Sequence, residues 1–194
     1  MRFHERIEFA FGASMNILFA YVKAIDWLNV RLGKLSAFFI MASCLIAAGN
    51  AVVRLVIPTF SSNAFIEIQW YLFGAAVMLT SSWVLMVNEH VRVDVVYGRF
   101  ENRGKVILDI FGMIFFLLSM SVLCMWLSWP FFLDKFNSGE MSQNAGGLIR
   151  WPVALMLPLG FAMLSLQGIS EIIKRVGWLN GSYNMDVHYE KPLQ

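Results

Sequence analysis

The sequence is poor in charge. Asp, Glu, Lys and Arg together make up 14% of its 194 residues, against roughly 25% in a typical soluble domain. A water-soluble globule in which 58% of residues are apolar would have to expose large apolar patches, which soluble monomers rarely do. With a mean hydropathy of +0.62, the chain belongs in a bilayer. Cysteine is scarce too: Cys44 and Cys124 both sit in mainly apolar surroundings. They cannot make a disulfide framework or a zinc site, and read as small packing residues. The three histidines, His4, His90 and His188, all lie outside the long apolar runs, which excludes a bis-histidine haem anchor. The net charge of +2 comes without a basic run, so nucleic acid is not an expected partner. No glycine-rich phosphate loop, serine nucleophile elbow or metalloprotease motif occurs. Nothing here proposes a reaction, a cofactor or a metal, and the chain is not expected to be an enzyme.

What is present is long apolar runs separated by charge. Leu35 to Ile57 spans 23 residues with one charge, Arg54, and Ile68 to Asn88 spans 21 with none. Val106 to Leu133 spans 28 with only Asp109, near its start, and Trp151 to Ser170 spans 20 with none. About 20 apolar residues in a helix cross a hydrocarbon core of roughly 30 Å. The runs lack the two-residue alternation of a membrane barrel. The expected fold is an all-α integral membrane protein with four transmembrane helices, over about 35–57, 68–88, 106–133 and 151–173. Pro58, Pro130 and Pro152 fall at or near the expected span ends, while Pro158 falls inside the fourth span, where it favours a kink.

Lys and Arg set the orientation. Twelve of the fifteen lie before the first span, in the second connection or in the tail; two lie in the third connection, and Arg54 is inside a span. The positive-inside rule then places both termini in the cytoplasm. Trp70, Trp126, Trp129 and Trp151 gather at the opposite interface, where amphipathic rings favour the headgroup level. Residues 1–34 form a separate cytoplasmic-side segment in this reading. Glu5, Glu8, Gly12, Asn16, Lys23 and Asp26 fall on one helical stripe, as an amphipathic interfacial helix requires. A fifth span there would put Lys23, Arg31 and Lys34 outside, against the charge rule. Residues 35–176 form the transmembrane domain and 177–194 a cytoplasmic tail.

Ionisable groups inside spans are functional candidates by default. Arg54 near the outer end of the first span and Glu67 at the start of the second are expected to pair across the short turn between them. Lys105 with Asp109, and Glu171 with Lys174, have helical pair spacings at the cytoplasmic edge. The remaining polar groups inside the spans, among them Asn50, Ser165 and Gln167, suit interhelical bonds better than a substrate site. Small residues Gly74, Ala75, Ala76, Gly160 and Ala162 suit close helix contact.

Two stretches carry a family resemblance. One is Glu67-Ile-Gln-Trp-Tyr-Leu-Phe, followed at the far end of the same helix by Asn88-Glu-His-Val-Arg-Val-Asp94. The other is Gly139-Glu-Met-Ser, then Gly146-Gly-Leu-Ile-Arg-Trp-Pro152, ending in Leu166-Gln-Gly-Ile-Ser-Glu171. With Arg54 and four helices, these resemble the small membrane (DctQ-type) subunit of tripartite ATP-independent periplasmic (TRAP) transporters, over roughly residues 35 to 176. The resemblance implies a bacterial inner-membrane protein that braces a large membrane subunit and helps dock a periplasmic solute-binding protein. Uptake in such systems is sodium-driven, and the solute is usually a carboxylate. Glu67 matches the family's acidic residue at the second-span entrance, and His90, Arg92 and Asp94 match its cytoplasmic His-x-Arg-x-Asp pattern. His90, Arg92 and Asp94 are expected to contact the partner or the same chain, with headgroup solvation as the alternative. Gly146 and Gly147 allow a tight turn before Trp151 anchors the fourth span, and residues Asn137 to Trp151 are the expected docking segment. Membrane lipids complete the expected partners. Two other readings compete: a self-sufficient four-helix exporter or channel, and a membrane anchor for an enzyme complex.

Overall fold

The structure is a computed structural model that describes residues 3–56, 62–88 and 100–184, with side chains from residue 15 onward. It is all-α, and among the described residues four helices are long and apolar enough to cross a membrane. We label them α1 (Phe3–Val56), α2 (Asn63–Met86), α3 (Asn102–Ser138) and α4 (Trp151–Leu179). Ser62 starts α2 by accepting a hydrogen bond from the Ala64 amide, which satisfies one of the orphan donors at a helix N-terminus. Asn88 follows α2 with φ +64°, a left-handed position that Asn tolerates.

Residues 3–34 are not a separate helix. They run without a break into the first span, so that α1 has 54 residues and is about 80 Å long. Gly33, the glycine nearest the expected boundary, is a packing site: a Cβ there would come within 2.8 Å of the Trp83 ring. Pro130 also lies inside a helix rather than near its end, since α3 continues to Ser138. Within α3 the backbone widens to a π-helix over Met113–Leu118. Leu117 and Leu118 of that segment fill the space left by Gly168 of α4.

The four helices do not form a closed bundle. α1 and α2 pair with each other, both pack on α4, and among the described residues α3 packs chiefly on α4. α4 is therefore the central helix, and it is the most buried of the four. At the α2–α4 crossing, a Cβ on Gly160 would lie 3.0 Å from the Met78 carbonyl oxygen, and Ala75, Ala76 and Ala154 are buried. These small residues let the backbones approach closely.

Burial is inverted relative to a soluble protein. Asn29 and Ser36 of α1 are fully buried, while Trp27, Phe38, Met41 and Leu45 are exposed. Lipid solvates the apolar exterior, so polar side chains gain most by turning inward and bonding between helices. Ser43 donates to the Gln69 carbonyl at 3.1 Å, and Ser165 donates to Ser121 at 2.9 Å. Asn50 departs from this pattern: its Oδ1 is buried with no hydrogen-bond partner among the described residues.

Candidate functional site

Polar groups concentrate at the two ends of the molecule. At one end, called outer from the charge-based expectation, α3 stops at Ser138 and Gly139 turns the chain with φ +59°, a conformation that favours glycine. The next residues form a small hairpin. Met141 bridges Ile149, the Ser142 amide bonds the Leu148 carbonyl at 2.9 Å, and the Arg150 amide bonds the Glu140 carbonyl at 3.0 Å. At the tip, Gly146 has φ +73°. Gly147 has no room for a side chain, since a Cβ would sit 2.5 Å from that of Ser142 and 2.9 Å from the Asn144 carbonyl oxygen.

Glu67 holds this hairpin from α2. Its Oε1 accepts from the Ser142 hydroxyl and from Asn144 Nδ2 at 2.8 Å, and its Oε2 accepts from the Leu148 amide at 2.6 Å. Only 4% of Glu67 is exposed. Asn63 donates to the Ala145 carbonyl at 3.2 Å, and the Tyr71 hydroxyl donates to the Ile149 carbonyl at 3.2 Å. Residues 63, 67 and 71 are one turn apart and share a face, so a single stripe of α2 grips the whole hairpin. Below it, Glu140 joins Arg150 at 2.8 Å and Lys135 at 2.5 Å, and Lys135 also meets Asp134 at 3.3 Å. The Lys135 ammonium, with Arg150 behind it, holds the Glu140 carboxyl below its ordinary pKa. Phe136 and Trp151 meet edge to face at 5.7 Å, closing the α3–α4 connection.

The expected Arg54–Glu67 pair does not form. The Glu67 carboxylate is enclosed by the hairpin, where Arg150 is the cation that acts on it; Arg54 lies exposed in the last turn of α1. A carboxylate at this helix entrance finds three donors in one neighbouring loop, and these outcompete a flexible arginine at the end of another helix. Gly146, Gly147 and Trp151 do lie together with Glu67 around the hairpin. His90, Arg92 and Asp94 lie outside the described residues.

At the opposite end, called inner, nine side chains from all four helices and Asn88, just past α2, form one largely buried network. Lys174 bonds Asp26 at 2.8 Å and Glu171 at 2.7 Å. Arg175 bonds Glu171 at 2.5 Å, Asp109 at 3.2 Å and Asn88 at 3.4 Å. Gln167 donates to Asp26 at 3.1 Å and to Glu171 at 3.0 Å, and accepts from Asn29 at 2.6 Å. Ser82 donates to Asn29 at 2.7 Å, and Ser170 reaches Asp26 at 3.4 Å. Asn29, Ser82, Gln167, Ser170, Glu171, Lys174 and Arg175 are all buried. The expected Glu171–Lys174 pair is present, and Asp109 bonds Arg175. The sequence counts Arg175 among the tail cations but assigns a partner neither to it nor to Asn29. Their signal was a polar residue recurring on one face of an otherwise apolar helix: Asp26, Asn29 and Ser36 in α1, and Gln167, Glu171, Lys174 and Arg175 in α4.

Both clusters spend their hydrogen-bonding capacity on the chain itself. Among the described residues no three His, Cys, Asp or Glu side chains gather as a metal site would need. The arrangement can hold helices and a loop in fixed relation. Residues 43–177, which carry the hairpin grip and most of the inner network, match the family described as tripartite ATP-independent periplasmic transporters, DctQ component. No curated protein and no solved structure shows a significant match.

Proposed function

The chain belongs to the DctQ family, the small membrane subunit of TRAP transporters, and from that premise we propose that its part is to brace and to dock. In this reading it supports the scaffold of the large membrane subunit without a solute or catalytic site of its own. Its outer hairpin forms part of the surface that receives the periplasmic solute-binding protein. The transporter sits in the bacterial inner membrane, with both termini of this chain in the cytoplasm, and takes up a small solute, a carboxylate by class, on a sodium gradient.

The observation that supports this most is the hairpin at 139–150. Glu67 and two further residues of α2 fix its backbone, while Met141 is 61% exposed and Ile149 39% exposed. A loop held rigid with apolar side chains displayed suits binding, because little ordering entropy is lost when a partner arrives. Replacing Met141 and Ile149 with serine in the reconstituted membrane complex tests it. Binding of the solute-binding protein should weaken about tenfold, with assembly of the membrane subunits unchanged. Unchanged affinity with intact assembly would remove docking from the proposal.

A further inference from the structure

α2 and α3 each pack on α4 and not appreciably on one another, which leaves a gap between them in the outer half of the molecule. The gap is a cavity of 540 Å³ that extends from Glu67 to Met78 along α2, about 16 Å along the helix axis. That depth reaches from headgroup level into the acyl region of one leaflet. The lower walls are apolar, with Gly74, Met78, Val153 and Leu157. On its two lips Trp70 is 65% exposed and Phe131 47% exposed, so the cavity opens sideways, between α2 and α3. At the mouth stand Lys135 and Arg150, each already joined to a carboxylate of Glu140, with Asp134 beside Lys135. The Arg150 bond to Glu140 uses NH1, one part of a guanidinium with five N–H donors.

We propose that this cavity is a binding site for one outer-leaflet phospholipid with a zwitterionic, primary-amine headgroup. Apolar walls beneath a small polar rim are what an amphiphile needs. One acyl chain lies along Gly74 and Met78, where the missing side chain of Gly74 makes room. The phosphate meets Lys135 and Arg150, and the ammonium donates to Asp134 and Glu140. The charges at the rim select the headgroup. A purely anionic lipid meets cations that carboxylates already neutralise, and would bring its charge beside Asp134 and Glu140. A choline headgroup has no N–H to donate to those carboxylates. This site does not depend on the docking role of the hairpin.

Native mass spectrometry tests it, on the tagged chain released from mild detergent together with any subunit that co-purifies. After stripping of lipid, phosphatidylethanolamine, phosphatidylglycerol and phosphatidylcholine are titrated separately. The expected result is one phosphatidylethanolamine bound, with affinity about tenfold above that for the other two. Gly74→Leu should abolish that adduct by filling the cavity. A Cβ at Gly74 meets only Val153 Cγ2, at 3.8 Å, so the variant has room to fold. Lys135→Gln, which leaves the walls intact, should weaken the same adduct several-fold and decides the matter if Gly74→Leu fails to assemble. Equal binding of all three lipids, or an adduct unchanged in both variants, would overturn the proposal. So would a photocrosslinker at position 74 that captures another protein subunit in place of lipid.

Discussion

Replacing Arg175 with methionine should lower stability by about 3 kcal/mol, because it removes the bonds of a buried guanidinium to Glu171, Asp109 and Asn88 and leaves the buried Glu171 with Lys174 as its remaining cation. Thermal unfolding in detergent would show this as a large drop in midpoint, whereas Lys23→Met, at an exposed position of α1, should barely move it. Glu67→Ala removes all three bonds that enter the hairpin from that carboxylate. Hydrogen exchange at the Leu148 amide should then quicken by an order of magnitude or more, with the helices unaffected. Glu140 gives a pH dependence of defined sign. Its carboxyl is held below the ordinary value of 4.5, first by Lys135. A lowered folded pKa means that the stabilisation is full above the unfolded value and is lost as pH falls through the folded one. The Lys135–Glu140–Arg150 clasp should therefore persist through neutral pH down to the unfolded value near 4.5 and fade below it. An NMR titration of the Glu140 carboxyl carbon should show a midpoint below 4.5, and one at or above that value would contradict the clasp.

The elements differ in how much room their glycines have. Gly160→Ala should weaken the α2–α4 crossing by about 1–3 kcal/mol, because the new methyl meets the Met78 backbone. Gly168→Ala should cost less, since it meets only the flexible ends of Leu117 and Leu118; thermal unfolding of the two variants compares them. Helices of this kind are legible in sequence because the bilayer demands a long apolar run, and the runs beginning at Leu35, Ile68, Val106 and Trp151 correspond to the four long helices. The unbroken α1 was not legible. Charges at Arg31 and Lys34 looked like a boundary, yet a helix crosses an interface without interruption when no residue breaks it, and Gly33 is occupied by packing on Trp83. The partner of Glu67 was hidden for another reason. Its three donors lie 75 to 81 residues away in sequence, and only tertiary folding brings Ser142, Asn144 and Leu148 to α2. The glycines of that hairpin were readable because left-handed and side-chain-free positions restrict the choice of residue. The inner network was half visible. Glu171 and Lys174 announce themselves by spacing, whereas Asp109 sits one turn from Lys105 and gives no hint that it faces Arg175.

Over the whole molecule, α4 is the spine, and the two polar clusters clamp its ends. The outer clamp joins α2 to the α3–α4 connection, and the inner one joins all four helices. Between them the helices make few polar contacts, and α3 stands away from α2 to leave the lateral cavity. Asp26 and Asn29 complete the inner clamp from outside the residues that match the family, so the inner half of α1 is tied to the family core by charge as well as by the continuity of the helix. A molecule built this way is a frame: its polar groups are spent on shape, and its exterior is apolar. In the proposed function this frame serves a larger partner. Purifying the tagged chain from native membranes in mild detergent, with mass spectrometry of what accompanies it, tests that most directly. A large multi-span permease subunit should accompany it at about one to one. Recovery of the chain alone, as a stable homo-oligomer that supports solute flux by itself in vesicles, would contradict it.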